Sequence, residues 1–219
     1  MGLLKRWVDF WMALLLLILA TPIILFCSSI FYGLYREKSI YVSQRAGKNG
    51  LPFAIYKLKS MRTRLDENGK LLPDAERLTK YGNLLRKLSL DELPQLLNIV
   101  KGEMSFIGPR PLPLEYNQLY TKEQQKRLTV LPGITGLAQV KGRNSLSWEE
   151  KFAFDCEYVR SQTLRLDFKI VLLTIYKVAY QDGISQDSHV TMSKFTGLTP
   201  RKESLYETNT TSSPAYERE

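Results

Sequence analysis

Two adjacent carboxylates, Asp91 and Glu92, stand shortly after Arg86 in a chain with a single histidine. Arg110 follows between Pro109 and Pro111, and Arg143 follows the glycine-bearing stretch Pro132-Gly133-Ile134-Thr135-Gly136. Arginines on loops stiffened by proline suit forked contacts to phosphate oxygens. A carboxylate beside such groups can attack phosphorus once the substrate's own negative charge is offset. Mg²⁺ held by one carboxylate and by phosphate oxygens would do that. The other carboxylate could then form a covalent phosphoryl-aspartate, splitting one displacement into two. No histidine is needed. The same residues also admit a purely structural reading. Ser89 and Glu92 have capping-box spacing, and Asp91 could itself be the N-cap, with Pro94 at a position that needs no donor. Exposed salt bridges would account for the arginines, and the chain would then be a non-catalytic membrane-associated scaffold or binding protein.

The elements that must hold these groups can be read from pattern and punctuation. Tyr41-Val42 and Phe53-Ala54-Ile55-Tyr56 are strand-like, and Asn49-Gly50 between them predicts a β-hairpin over residues 40–61. Residues 64–75 read as a mobile polar loop, and a helix is expected from Leu78 to Lys87. A further helix is expected from Ser89 to about Lys101-Gly102, with Leu93, Leu96, Leu97 and Val100 at helical spacing. Met104 to Pro111 reads as a rigid loop, Glu115 to Val130 as a helix, and Pro132 to Gly136 as a second loop. Ser147-Trp148-Glu149-Glu150 is a capping box opening a helix to about Arg160. A last helix, Arg165 to Gln181, is apolar nearly all round and is interrupted by Lys169 and Lys177, as suits burial or an interface with snorkelling lysines. Residues 198–219 are polar and read as a disordered tail. There is no internal repeat, no heptad pattern and no Cys/His metal spacing.

Phe10 to Tyr32 carries no charged residue, and at 1.5 Å per residue it would reach roughly 35 Å, enough to cross a hydrocarbon core. It is too long for a signal peptide, and no small-residue cleavage pattern follows. Thr21-Pro22 lies near its middle. Proline deprives one carbonyl of its donor, and the Thr21 hydroxyl is placed to compensate. Lys5-Arg6 precede the segment, and Arg36, Lys38, Arg45 and Lys48 follow it. The positive-inside rule then puts both ends in the cytoplasm. A re-entrant helix broken at Thr21-Pro22 satisfies that rule; a kinked single span is the alternative. Cys27 reads as a small apolar filler.

Composition bounds the rest. A chain of 219 residues that is 44% hydrophobic suits one packed domain beside the membrane segment. Two cysteines exclude a disulfide framework and suit a reducing compartment. Most of the net charge of +9 lies in residues 1–64, where ten basic side chains face Asp9 and Glu37. A basic collar around an apolar segment fits an anionic membrane surface. A nucleic-acid footprint is the competing reading of that charge and leaves the later loops unexplained.

Taken together, Ser89-Leu90-Asp91-Glu92-Leu93-Pro94-Gln95-Leu96, Gly108-Pro109-Arg110-Pro111 and Pro132-Gly133-Ile134-Thr135-Gly136 strongly resemble the bacterial sugar transferases. These are the monotopic phosphoglycosyl transferases acting on polyprenyl phosphate. Lys57-Leu58-Lys59-Ser60-Met61-Arg62 resembles the family's basic segment, and the likeness extends over about residues 1–195. The chain is similar to the small members, such as the enzyme that starts bacterial N-linked glycan assembly. The resemblance implies a helix-rich α+β fold. Residues 1–36 would form a re-entrant membrane helix, and residues 37–197 a compact catalytic domain on the cytoplasmic face of the bacterial inner membrane. Thr21-Pro22 stands where the family has Ser-Pro. The resemblance further implies transfer of a phosphosugar from a UDP-sugar to undecaprenyl phosphate with release of UMP, with membrane lipids and no nucleic acid as partners. Asp91 matches the nucleophile, and Glu92 the Mg²⁺-associated carboxylate, with Asp91 as an optional second ligand. Arg86 and Arg110 match substrate-binding arginines. Lys59, Arg143, Asp155 and Tyr158 are candidate substrate contacts. Lys59 stands where the family often has arginine, and Asp155 and Tyr158, one turn apart, have a structural alternative. An N-acetylated UDP-sugar is the expected donor.

Overall fold

The long apolar segment folds as α1, Leu3–Tyr35, a helix of 33 residues and thus about 50 Å in length. The structure, a computed structural model, describes residues 2–142, 145–180 and 194–197. Lys5, Asp9, Ala13, Ala20, Cys27 and Phe31 are the buried positions of α1. Their spacing of four and seven is one helical stripe, and the small residues in it let neighbouring elements come close. Trp7, Trp11, Leu15, Leu19, Leu25 and Phe26 remain exposed. The helix is long and apolar enough to cross a membrane. Pro22 lies inside it without ending it. The Thr21 hydroxyl donates to the Leu17 carbonyl at 2.7 Å, one residue before the carbonyl that the proline strands.

The expected hairpin forms from β1, Ile40–Ala46, and β2, Pro52–Leu58. They pair antiparallel from Ile40 opposite Leu58 to Ala46 opposite Pro52. Asn49 and Gly50 turn the chain with φ of 57° and 74°, the left-handed region that Asn and Gly tolerate best. The polar segment that follows is held by bridges of Met61 to Leu78 and of Leu65 to Leu71. Asp66 accepts from the Asn68 and Lys70 amides at its tip. A short α2, Asp74–Arg77, leads to α3, Lys80–Lys87, which Thr79 caps by accepting from the Gly82 amide.

Gly82 marks the tightest approach of α3 to the hairpin. A Cβ built there would sit 1.8 Å from the Ser60 carbonyl oxygen. Gly82→Ala should therefore lower stability by about 2–4 kcal/mol, read as a fall in the denaturation midpoint. An unchanged midpoint would show that α3 can move off residue 60 freely.

Three expectations are corrected. The helix expected from Ser89 is a 3-10 turn, Leu90–Gln95, running into α4, Leu96–Lys101. Pro94 inside the turn has no amide to donate, so its backbone cannot complete an α-helical ladder. The helix expected over 115–130 is two separate 3-10 turns, Leu114–Gln118 and Gln124–Thr129. Thr121 and Gln124 cap each other between them. Tyr116 and Tyr120 are drawn into an aromatic cluster with Phe152 and Phe195, and tertiary packing overrides the helical pattern. Finally, the two expected loops contain strands. β3, Ser105–Ile107, pairs parallel with β4, Gly133–Thr135.

α5, Leu137–Lys141, α6, Trp148–Ser161, and α7, Leu164–Ala179, complete the described chain. The Ser147–Glu150 capping box is present in full. One core cluster joins Ala13 and Ala20 of α1 to Phe53 and Ile55 of β2, Leu96 and Ile99 of α4, and Met104. A second joins Ile107, Leu137, Val140, Tyr158 and Ile170. Cys27 packs with Leu58 and Leu85. The fold is thus helix-rich α+β, as expected. The expected polar tail and the end of the last helix, at Gln181, lie outside the described residues.

Candidate active site

The turn carrying Asp91 and Glu92 is set by Ser89, whose φ of 56° reverses the chain after α3. Its side chain makes no capping bond, so neither cap reading of Ser89, Asp91 and Glu92 holds. Leu93 and Leu96 pack against the cluster around Ala13 and Ala20, and Leu90 packs against Cys27. The apolar neighbours of the acidic pair therefore seat the turn on the middle of α1. The acids themselves turn toward the basic residues.

Glu92 is the hub. Its Oε1 accepts from Lys57 Nζ at 2.7 Å and from Arg110 Nη2 at 2.6 Å. Burial works against its ionisation, but the charges and hydrogen bonds of Arg110 and Lys57 outweigh that and hold its pKa far below the carboxylate range. Asp91 is pushed the other way, by burial first and then by the charge of Glu92, with Lys57, Arg86 and Arg110 acting against the rise. Two neighbouring acids are thus driven apart in basicity, the arrangement that assigns different roles to paired carboxylates. Among the described residues, no side chain or amide hydrogen-bonds to the Asp91 carboxylate, whereas Glu92 is held by two cations. The first is suited to reach a substrate, the second to stay in place.

Three elements supply the positive charge: Lys57 from β2, Arg86 from the last turn of α3, and Arg110 from the loop after β3. Arg86 is oriented by donating from Nε to Ser60 Oγ at 3.0 Å. The structure therefore brings Asp91, Glu92, Arg86 and Arg110 together. It gives three other candidates intramolecular partners away from the acidic pair. Lys59 pairs with Glu37 at 2.5 Å and donates to Thr63. Burial opposes ionisation of Glu37, yet bonds from Lys59, the Thr63 amide and Arg62 bring its pKa down to about 2. Asp155 is buried against Arg127. Tyr158 is buried in a network with Lys5, Asp167 and the Ile107 carbonyl. A charged residue in the interior must be paired, and the Arg127–Asp155 and Lys5–Asp167 pairs are inside the protein. Arg143 lies outside the described residues.

Lys57 is the member of the candidate site that sequence reading passed over. Lys57 and Lys59 stand in the same basic stretch, and nothing local separates them. The end of the strand decides. Lys57 is the last but one residue of β2, while Lys59 lies past the strand, beside the chain leaving α1. Lys57→Met should lower kcat/KM by about 10–100-fold, with Lys59→Met costing far less. Equal losses in steady-state turnover would show that the Lys57–Glu92 pair is only structural.

Two carboxylates side by side fit a magnesium ion, which is held by one or two such groups and otherwise by phosphate oxygens and water. Among the described residues no group of three or more His, Cys, Asp or Glu is available to form an all-protein metal cage. The donor set therefore suits an ion that arrives with a phosphorylated substrate.

A family model described as bacterial sugar transferase matches residues 1–181. A Bacillus subtilis protein named "Uncharacterized sugar transferase EpsL" is 48% identical over 195 residues, covering 89% of this chain and 96% of that protein. The "Undecaprenyl-phosphate galactose phosphotransferase" of Salmonella typhimurium is 36% identical over 200 residues, 82% of this chain and 41% of that protein. The Escherichia coli "UDP-glucose:undecaprenyl-phosphate glucose-1-phosphate transferase" is 38% identical over 188 residues, 80% of this chain and 40% of that protein. The chain spans well under half the length of these last two relatives.

Proposed function

The chain belongs to the bacterial sugar transferase family, and from that premise we propose that it transfers a phosphosugar from a UDP-sugar to undecaprenyl phosphate. The observation that carries this is the acidic pair of unequal basicity, ringed by Lys57, Arg86 and Arg110 and seated on a long apolar helix. Two similar enzymes are named for undecaprenyl phosphate and a hexose, which supports the substrate class.

The reaction we propose is ping-pong. A carboxylate oxygen of Asp91 attacks the β-phosphorus of the UDP-sugar. The bond from that phosphorus to the bridging oxygen breaks, and UMP leaves with the electron pair. Asp91 is left carrying the phosphosugar as an acyl phosphate. The terminal oxygen of polyprenyl phosphate then attacks the same phosphorus, which frees the Asp91 carboxylate and forms the lipid diphosphate sugar. Arg110 and Arg86 hold phosphate oxygens, and Lys57 fixes Glu92. Magnesium, held by Glu92 and optionally Asp91, would supply the charge that lets an anion approach a diphosphate. A panel of UDP-glucose, UDP-galactose and N-acetylated UDP-sugars, each with undecaprenyl phosphate and Mg²⁺, tests this. One donor should release UMP in a manner suppressed by EDTA. If no member of the panel releases UMP, the reading is wrong. Two of the similar enzymes carry galactose or glucose in their names, so the expectation of an N-acetylated donor is decided by the same panel.

For the membrane segment we propose the re-entrant arrangement at the cytoplasmic face of the inner membrane. Support comes from both ends of α1 touching one domain. Near its start, Arg6 donates to the Ile99 and Val100 carbonyls. Near its end, Tyr81 donates to the Cys27 carbonyl, and Phe31 is buried. A straight span would carry one end about 30 Å away through hydrocarbon. Exposed Leu164, Phe168, Leu172 and Ile175 give α7 an apolar stripe that suits the same surface. Cysteines introduced at the N-terminus should stay unlabelled by an impermeant reagent in intact cells; labelling from outside would exclude the arrangement.

A further inference from the structure

We infer that Arg127 is a positioning residue for Arg110, acting through the main-chain carbonyl of Arg110, and that Asp155 serves Arg127 and not the substrate. The loop that carries Arg110 is unusually poor in anchors, because Pro109 and Pro111 have no amide to donate. It is held by carbonyls. Pro109 O accepts from the Gly133 amide at 2.9 Å and Leu112 O from the Ala46 amide at 2.9 Å. Between them, Arg110 O accepts from Arg127 Nη2 at 2.7 Å. The outer two anchors are backbone to backbone and survive any side-chain substitution. The middle one, on the residue whose side chain reaches Glu92 at 2.6 Å, depends on a side chain.

That side chain is built to stay still. Arg127 and Asp155 expose 2% and 5% of their side chains. Arg127 Nε and Nη2 donate to Asp155 Oδ2 at 3.0 and 2.8 Å, and Nη1 donates to the Tyr120 hydroxyl at 3.2 Å. Its guanidinium lies 5.5 Å from the ring centres of both Tyr120 and Phe152. The residue before a proline is confined to extended backbone, and within that range the Arg127 bond selects the tilt of the Arg110–Pro111 peptide. Tilting that peptide swings the far end of the Arg110 side chain. A misplacement of about 1 Å near reacting groups can cost on the order of 100-fold in rate. The guanidinium fork is what makes the device work, since it grips a carboxylate and a carbonyl at once. Lysine in its place can keep the charge and the pair with Asp155 but cannot hold both.

The functional half of this inference rests on the phosphoglycosyl transferase reading, and its geometric half does not. The decisive experiment is a double-mutant cycle on the full chain, using the UDP-sugar that the panel selects. Arg127→Lys should lower kcat/KM by about 10–100-fold, chiefly through KM for the nucleotide sugar. In an Arg110→Ala background the same change should cost little more. A loss of equal size in both backgrounds would overturn the inference, because Arg127 would then act on something other than Arg110. Asp155→Asn should repeat the pattern, and it decides the matter if Arg127→Lys does not fold. Hydrogen exchange gives a readout that needs no substrate. Residues 106–112 should lose protection in Arg127→Lys while α4 keeps its own. Unchanged protection of 106–112 would defeat the geometric claim even if the enzyme proved inactive on every sugar tried.

Discussion

Asp91→Asn should abolish turnover: release of UMP is expected to fall by about 10³-fold or more, while the denaturation midpoint should stay within a degree or two of the parent. The two expectations follow from different properties of the same site. An amide has nearly the shape of a carboxylate, and among the described residues none hydrogen-bonds to the Asp91 side chain, so little native contact is lost. Replacing a buried carboxylate by a neutral group even relieves the desolvation and the repulsion from Glu92 that raise its pKa. The chemistry is lost because an amide oxygen is a poor nucleophile and cannot be regenerated as a leaving carboxylate. Intact-protein mass measurement after incubation with the UDP-sugar alone should show a phosphosugar adduct on the parent and none on the variant. An Asp91→Asn enzyme that still turns over, or a parent that never gains the mass, would sink the covalent mechanism.

Glu92→Gln is expected to be nearly as damaging, for a reason that can be told apart. Glu92 is the shared counter-charge of Lys57 and Arg110, at 2.7 and 2.6 Å. An amide leaves two cations facing each other across a half-buried site, and removing one partner of such a group costs far more than the group contributes when intact. Turnover should fall by about 10²–10³-fold, and the Mg²⁺ concentration needed for half-maximal rate should rise. Asp91 remains in place, so slow adduct formation at high Mg²⁺ should persist. A Mg²⁺ dependence identical to that of the parent would show that Glu92 is no metal ligand, and that its role is confined to holding Lys57 and Arg110.

The membrane helix, the hairpin and the capping box at Ser147 were all legible in the chain. Each is governed by residues within a turn or two of one another: an apolar run, a pair of turn residues at positive φ, a serine and a glutamate at the right spacing. The acidic pair and its arginines were legible for the same reason, as short runs stiffened by proline and glycine. Where local pattern failed, a long-range partner had won. The stretch from Glu115 to Val130 reads locally as a helix, but Tyr116 and Tyr120 pack against Phe152 and Phe195, and Arg127 turns to Asp155, so the segment breaks into two short turns. Two stretches that punctuation marks as loops meet as parallel strands, because each strand finds its partner only in the other.

Sequence alone thus determined which side chains to propose for the chemistry, since Asp91, Glu92, Arg86 and Arg110 stand out by type and spacing. Tertiary structure alone decided which of two neighbouring lysines faces Glu92, and that Asp155 pairs with Arg127. The physical reason is the reach of the forces involved. Backbone propensity and capping act over a few residues, whereas the Lys57–Glu92 and Arg127–Asp155 pairs close over separations of 35 and 28 positions. Only the packing of β2, the 3-10 turns and α6 against their neighbours brings those charges within bonding distance.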